Sequence, residues 1–221
     1  MSYFNSYQKS PKNCYVCGEK DPRNFLKIND KQYLRCDKCC ATFIHPINRL
    51  TSDEEYNHYL THQNDPCDLM YRNFLSKLLN PLLCKFGSHS IGLDYGCGPG
   101  SALAMMLKEK GLQVSLYDPF FEPHQGVLEK TYDFITCTEV VEHFYNPAKE
   151  FDRLNELLRP NGWLGVMTCF QTNDEFFKNW HYRKDPTHVI FYRGTTFDFI
   201  AKQRNWTCEI PAKDVALMQK A

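Results

Sequence analysis

The ten residues Ile91-Gly92-Leu93-Asp94-Tyr95-Gly96-Cys97-Gly98-Pro99-Gly100 constrain this chain more than any other stretch. They read as a short apolar strand that ends in an acid and runs into a glycine-rich bend. A small-residue helix starting at Ser101-Ala102-Leu103-Ala104 follows at once. Glycine is required where the backbone takes positive φ or approaches a ligand with no Cβ in the way. The helix start supplies unpaired N–H groups and a partial positive end facing the bend. A P-loop is excluded, because no Lys-Ser/Thr pair closes the glycine run. A dinucleotide fingerprint is excluded too, because the third glycine comes one residue early.

The G-x-G-x-G spacing, with an acid two residues ahead, resembles motif I of the class I S-adenosylmethionine-dependent methyltransferases. The resemblance implies a Rossmann-like α/β sheet with an antiparallel closing strand. It also implies that Asp94 holds the cofactor's methionine ammonium while Gly96, Cys97, Gly98 and Gly100 lie against the methionine and ribose. A second acid is expected at the end of the next strand, where it accepts hydrogen bonds from the ribose hydroxyls. Val114-Ser115-Leu116-Tyr117-Asp118 supplies it, with Asp118 in the expected place.

The first fifty residues carry a different signal. Cys14-x-x-Cys17 and Cys36-x-x-Cys39 stand eighteen residues apart, within the spacing of a four-cysteine zinc site. Between them, Phe25–Ile28 and Gln32–Arg35 flank Asn29-Asp30 as a hairpin. Four thiolates fill a tetrahedral ion's coordination sphere, so the zinc is expected to be structural. It would supply a small ribbon with stability on the order of 10 kcal/mol. Such N-termini resemble those ahead of some bacterial methyltransferase domains acting on sugars and other small molecules, and one in an RNA-modifying enzyme.

The expected organisation is a ribbon over 1–50, connecting helices over 51–88 that cover the cofactor, and a methyltransferase core over 89–221. Asp53-Glu54-Glu55 after Thr51 and Ser52 marks one helix start. A longer helix, with Pro81 kinking or cutting it, is expected from about residue 66 to Phe86. His58 and His62 read as surface. After Asp118 the crossover is short, and Val127-Leu128-Glu129 is the candidate for an edge strand.

The next strand, Tyr132 to Thr138, ends where ligands bind in open α/β sheets, with Thr138 facing the cofactor. Then follow Glu139, Glu142 and His143 at i, i+3 and i+4, expected on one helical face. Carboxylates there suit Mg²⁺ or Mn²⁺, and an imidazole suits softer metals. The E-x-x-E-H string is similar to that of two metal-assisted O-methyltransferase groups, one acting on catechol-type ubiquinone precursors and one on the terminal ribose of small RNAs. In the RNA group a later histidine completes the site, and His188 is placed for that role. The aromatic run Phe176, Phe177, Trp180, His181 and Tyr182 is a candidate substrate roof or a mini-core. Pro147–Leu158 reads as a helix, Trp163–Thr168 as the fifth strand, and Trp206–Ile210 with Asp214–Gln219 as the closing hairpin.

Composition narrows the partners. Twenty-six basic and twenty-six acidic residues cancel, so no global positive field attracts nucleic acid. No apolar run reaches membrane-spanning length, and the N-terminus lacks a secretion signal, which together predict a cytoplasmic protein. Eleven scattered cysteines argue for thiols and metal ligands over disulfides. The expected function is S-adenosylmethionine-dependent methylation of a small-molecule hydroxyl. The alternatives are RNA ribose methylation and a cofactor-binding protein without catalysis.

Overall fold

The computed structural model describes residues 11–61 and 65–221. Two sheets carry the architecture. The first holds β1 (Arg23–Ile28), β2 (Lys31–Arg35) and β3 (Thr42–Ile44), joined by a short late strand, β8 (Ile190–Phe191). The β1–β2 hairpin closes between Ile28 and Lys31, with Asn29 at φ +52°. Asparagine tolerates that left-handed turn conformation, as the sequence led one to expect.

The second sheet has six strands in the order β5-β4-β6-β7-β10-β9. Its parallel half is β5 (Gln113–Tyr117), β4 (Ile91–Tyr95), β6 (Tyr132–Thr138) and β7 (Leu158–Met167). The antiparallel hairpin β9 (Trp206–Ala212) and β10 (Val215–Lys220) closes it against β7. This is the Rossmann-like mixed sheet that motif I implies.

Helix α1 (Ser52–Tyr59) starts at a capping box between Thr51 and Glu54, and α2 (Leu69–Leu83) starts at Asp68. Pro81 sits inside α2 and the helix ends two residues later, so the proline neither cuts it early nor lets it reach Phe86. The buried stripe Leu75, Leu78, Leu79 and Leu82 lies over β7, where Gly165 leaves room: a Cβ there would meet Leu78 at 3.0 Å and Leu82 at 3.2 Å. Helices α3 (Ala102–Glu109), α4 (Pro147–Leu157) and α7 (Gly194–Gln203) complete the layers, with short α5 (Asp174–Phe177) and α6 (His181–Lys184) between β7 and β8.

Two expectations are corrected here. Residues 125–129 form a 3-10 turn, not an edge strand, and β5 ends the sheet. The segment between β5 and β6 is too short for a crossover and a strand together. Asp118 and Glu122 bridge the chain back on itself, and the Tyr132 hydroxyl donates to the Val127 carbonyl at 2.7 Å. The second correction concerns the string after β6. Only Val141–His143 is helical, as one 3-10 turn, and Glu139 precedes it at φ +53°. Glu139 therefore leaves the face that carries Glu142 and His143.

The ribbon is packed into the rest of the protein. Tyr33 and Phe43 belong to the same buried cluster as Phe151, Leu164 and Phe197. β3 pairs with β8 through Thr42–Phe191 and Phe43–Ile190. The Thr42 hydroxyl donates to Gln171 Oε1 at 2.8 Å, and Arg35 reaches Asp174 at 2.7 Å. Phe177 packs against Phe25, Tyr33 and Phe191, so this part of the aromatic insertion is a mini-core.

Candidate active site

Asp94 is buried at the end of β4. Its Oδ1 accepts from the Thr136 hydroxyl at 2.7 Å, and its Oδ2 accepts from the Ser101 hydroxyl, which also caps α3. Burial pushes its pKa up, opposed by those two hydrogen bonds. Gly96, Gly98 and Gly100 all have positive φ, and open space surrounds a Cβ built on Gly98 or Gly100. The Gly98 N–H donates to Asp118 Oδ2 at 3.0 Å, tying the bend to the second acid. Asp118 Oδ1 accepts from the N–H groups of Phe120 and Phe121 at 2.8 and 3.1 Å.

Asp94, Gly96, Cys97, Gly100 and Ser101, with Tyr71 and Thr138, line a cavity of about 30 Å³, room for one water. A ligand pocket for a molecule of the cofactor's size takes several hundred Å³. The cavity marks the bend and does not by itself enclose a whole cofactor. One buried atom points to a ligand: Thr138 Oγ1 has no hydrogen-bond partner. A buried hydroxyl left unpaired is costly, and a cofactor lying along the bend would satisfy it. The glycine cradle, the buried acid and the orphaned hydroxyl fit S-adenosylmethionine. A larger cavity of about 460 Å³ lies at the opposite ends of the strands, lined by Ile91, Gln113, Lys130 and Arg159. Ligands bind at the carboxyl ends of such sheets, so the smaller cavity is the relevant one.

One step beyond Thr138, Glu142, His143 and His188 bring one ligand atom each to within 4.8 Å of one another. Three of the four residues expected here are thus assembled, and Glu139 is not among them. His143 Nδ1 lies 3.1 Å from the Thr187 carbonyl, and His188 Nδ1 lies 2.7 Å from the Tyr182 carbonyl. A carbonyl only accepts, so both rings carry hydrogen on Nδ1, and Nε2 is the lone-pair nitrogen of each. His143 Nε2 stands 3.9 Å from Glu142 Oε1. Burial lowers the His188 pKa, keeping it neutral at pH 7.

Glu142 is fully buried. The Tyr182 hydroxyl meets its Oε1, the Thr168 hydroxyl meets Oε2 at 2.9 Å, and the two hydroxyls are 2.9 Å from each other. Both hydroxyls donate to the carboxylate, one to each oxygen. Burial pushes the Glu142 carboxyl up, opposed by His188 and by those two hydrogen bonds. Glu139 is also pushed up, by burial and then by Glu142.

Helix α1 covers this cluster. The Tyr59 ring meets His143 edge to face at 5.4 Å, and His58 Nε2 lies 3.3 Å from an Asp185 oxygen. His58 is therefore half-buried against Asp185, contrary to its reading as a surface residue; His62 lies outside the described residues. Residue type and spacing alone assigned no role at this site to Tyr59, Thr168 or Asp185.

The four ribbon cysteines also converge. Their Sγ atoms all lie within 4.8 Å, with Cys14–Cys39 at 3.6 Å and Cys17–Cys36 at 3.5 Å. A tetrahedral Zn–S distance near 2.3 Å requires sulfur edges of about 3.8 Å, so the donors fit zinc. The two knuckles repeat one geometry: Gly18 N donates to Cys14 O and Cys40 N donates to Cys36 O, both at 2.9 Å. Cys40 stands beyond its knuckle at φ +62° and is not a member of the cluster.

A methyltransferase-domain family model matches residues 67–209. The ubiquinone biosynthesis O-methyltransferase of Aeromonas salmonicida is 28% identical over 91 residues, covering 41% of this chain and 38% of that protein. The enzyme of the same name from Histophilus somni is 28% identical over 107 residues, covering 47% and 43%. The chain therefore spans less than half the length of these relatives. The crystal structure of a SAM-dependent methyltransferase from Archaeoglobus fulgidus superposes with a TM-score of 0.51 at 18% identity, covering 68% of this chain and 94% of that one. That likeness is one of fold, and it agrees with the strand order and the glycine bend. The matched segment contains motif I, Asp118 and the Glu142–His143–His188 cluster, and the chain belongs to the class I S-adenosylmethionine-dependent methyltransferase family.

Proposed function

We propose that this protein transfers a methyl group from S-adenosylmethionine to a hydroxyl of a small-molecule acceptor. The observation that carries the reading is the Glu142–His143–His188 cluster, set at the sheet's carboxyl edge directly after the cofactor-facing Thr138. Methyl transfer is an in-line displacement at a sulfonium, so the chain must align the acceptor oxygen and remove its proton. Asp94 and the glycine bend would hold the cofactor's methionine end, and Asp118 its ribose. An acceptor hydroxyl placed among the three donors would lose its proton to Nε2 of His188 or His143. Glu142 would then stabilise the imidazolium formed.

The donors also suit a divalent cation, which when bound lowers the pKa of a coordinated hydroxyl. Two imidazoles and one carboxylate favour Mn²⁺, Fe²⁺, Co²⁺ or Zn²⁺ over Mg²⁺, which prefers an all-oxygen shell. The ubiquinone-biosynthesis relatives, O-methyltransferases by name, support oxygen as the attacking atom. A ribose hydroxyl of RNA is the second reading. The first fifty residues carry nine basic against four acidic residues, so the ribbon is the basic part of a neutral chain.

Calorimetric titration of S-adenosylmethionine into EDTA-treated protein, with and without Mn²⁺, tests the reading. Cofactor binding, one retained zinc and a saturable second metal site lost in Glu142→Ala would support it. Failure to bind the cofactor would end it. Binding with zinc alone would return the cluster to metal-free proton transfer.

A further inference from the structure

We infer that Tyr182 is the positioning residue of the Glu142–His143–His188 cluster, an assignment that rests on the cation-binding reading above. Tyr182 touches two of the three donors in different ways. Its hydroxyl donates to Glu142 Oε1, its carbonyl accepts His188 Nδ1 at 2.7 Å, and its ring lies against the His188 ring with centroids 4.1 Å apart. One residue thereby sets the rotation of the carboxylate, the tautomer of one imidazole and the plane of that imidazole. Partners of this kind fix ligand orientation before an ion arrives.

Packing alone does not account for the hydroxyl. The Tyr182 ring already fills the space between Trp180, at 5.2 Å, and His188, and phenylalanine would fill it as well. The oxygen instead stands between two buried groups, Glu142 and Thr168, in a residue 8% exposed. Desolvating a hydroxyl beside a buried carboxyl is favourable only if the hydrogen bonds are made. Here they are made, and they lock Glu142 from one side while Thr168 locks it from the other.

The neighbouring backbone extends the same arrangement. Thr187 O accepts from His143, and Val189 N donates to Glu142 O at 2.8 Å. The segment from Tyr182 to Val189 thus touches all three donors, and within it the Tyr182 hydroxyl reaches Glu142 directly.

The test is Mn²⁺ titration of the full zinc-retaining, EDTA-treated chain, followed by the electron paramagnetic resonance signal of free Mn²⁺. Tyr182→Phe should weaken Mn²⁺ binding about 10- to 100-fold. S-adenosylhomocysteine affinity should stay within about threefold, since Tyr182 does not line the cofactor cavity. Thr168→Val should weaken Mn²⁺ binding in the same sense and Thr168→Ser should restore it, so the pair carries the test if Tyr182→Phe fails to fold. Wild-type Mn²⁺ affinity in folded Tyr182→Phe would overturn the inference while leaving the cation reading intact. Absence of Mn²⁺ binding in the wild-type chain would overturn both.

Discussion

The rings of His143 and His188 meet edge to face, with centroids 4.8 Å apart and planes at 73°. They come from segments on opposite sides of β7 in the sequence, yet each gives its Nδ1 hydrogen to a carbonyl of the same short stretch, Tyr182 to Thr187. His143 Nε2 lies 3.9 Å from Glu142 Oε1 and His188 Nε2 lies 3.9 Å from Asp185 Oδ2, and neither ring lines the cofactor cavity.

His188→Ala is therefore expected to abolish turnover while S-adenosylmethionine affinity stays within about tenfold of wild type. Calorimetry and a single-turnover assay separate the two quantities. A collapse of cofactor affinity would place His188 in the cofactor wall instead.

Zinc removal should reach far beyond the ribbon. β8 depends on β3 for its pairing, and the Tyr182–Val189 segment leads directly into β8. Cys36→Ser should lower the zinc content below one per chain and lower the melting temperature by more than 10 °C, in keeping with a structural site worth on the order of 10 kcal/mol. Hydrogen exchange should show lost protection at Ile190 and Phe191. Unchanged exchange there would show that the two sheets fold independently.

Two glycines of one bend should behave differently. A Cβ on Gly96 would stand 2.5 Å from Val140 Cγ1 at φ +80°, whereas one on Gly98 meets nothing within 4 Å at φ +61°. Gly96→Ala should cost about 1–3 kcal/mol of stability along with cofactor binding. Gly98→Ala should lower cofactor affinity at a stability cost of about 1 kcal/mol. Urea unfolding and titration with S-adenosylhomocysteine, run on both variants, check the contrast.

Asp185 gives an acid-limb prediction. Burial alone would push its carboxyl up, but the Thr187 hydroxyl and N–H, at 2.5 and 2.9 Å, outweigh it and hold the pKa at about 2. The unfolded chain takes up that proton near pH 3.9, so the stabilisation is present above that value and is lost as pH falls toward 2. With solvent screening, the stability difference between wild type and Asp185→Asn should shrink by about 1 kcal/mol between pH 5 and pH 2. Denaturant titrations at several pH values measure it, and a pH-independent difference would contradict the assignment.

The parts of the fold that local chemistry dictates were legible in the sequence. Gly96 to Gly100 announced β4 and α3, Asp118 marked the end of β5, and the paired cysteines announced the knuckles. What stayed hidden depends on contacts across the chain. Ile190 and Phe191 are two residues that become a strand only by lying beside β3. Glu139 adopts a conformation that side chains disfavour, held by its N–H donating to Met167 O at 2.8 Å, and no local pattern reveals that. The Glu142–His143–His188 grouping was implied by the resemblance of the E-x-x-E-H string, whereas the Tyr182 and Thr168 hydroxyls that orient Glu142 were not.

The pairing of Phe43 with Ile190 also sets the order in which the protein can be assembled. The two residues are about 150 positions apart, which at typical translation rates separates their emergence from the ribosome by roughly 10–30 s. For that interval β3 presents an unpaired edge, the kind of surface that recruits other strands. The β1–β3 sheet thus begins early in synthesis and gains its fourth strand only when β8 emerges.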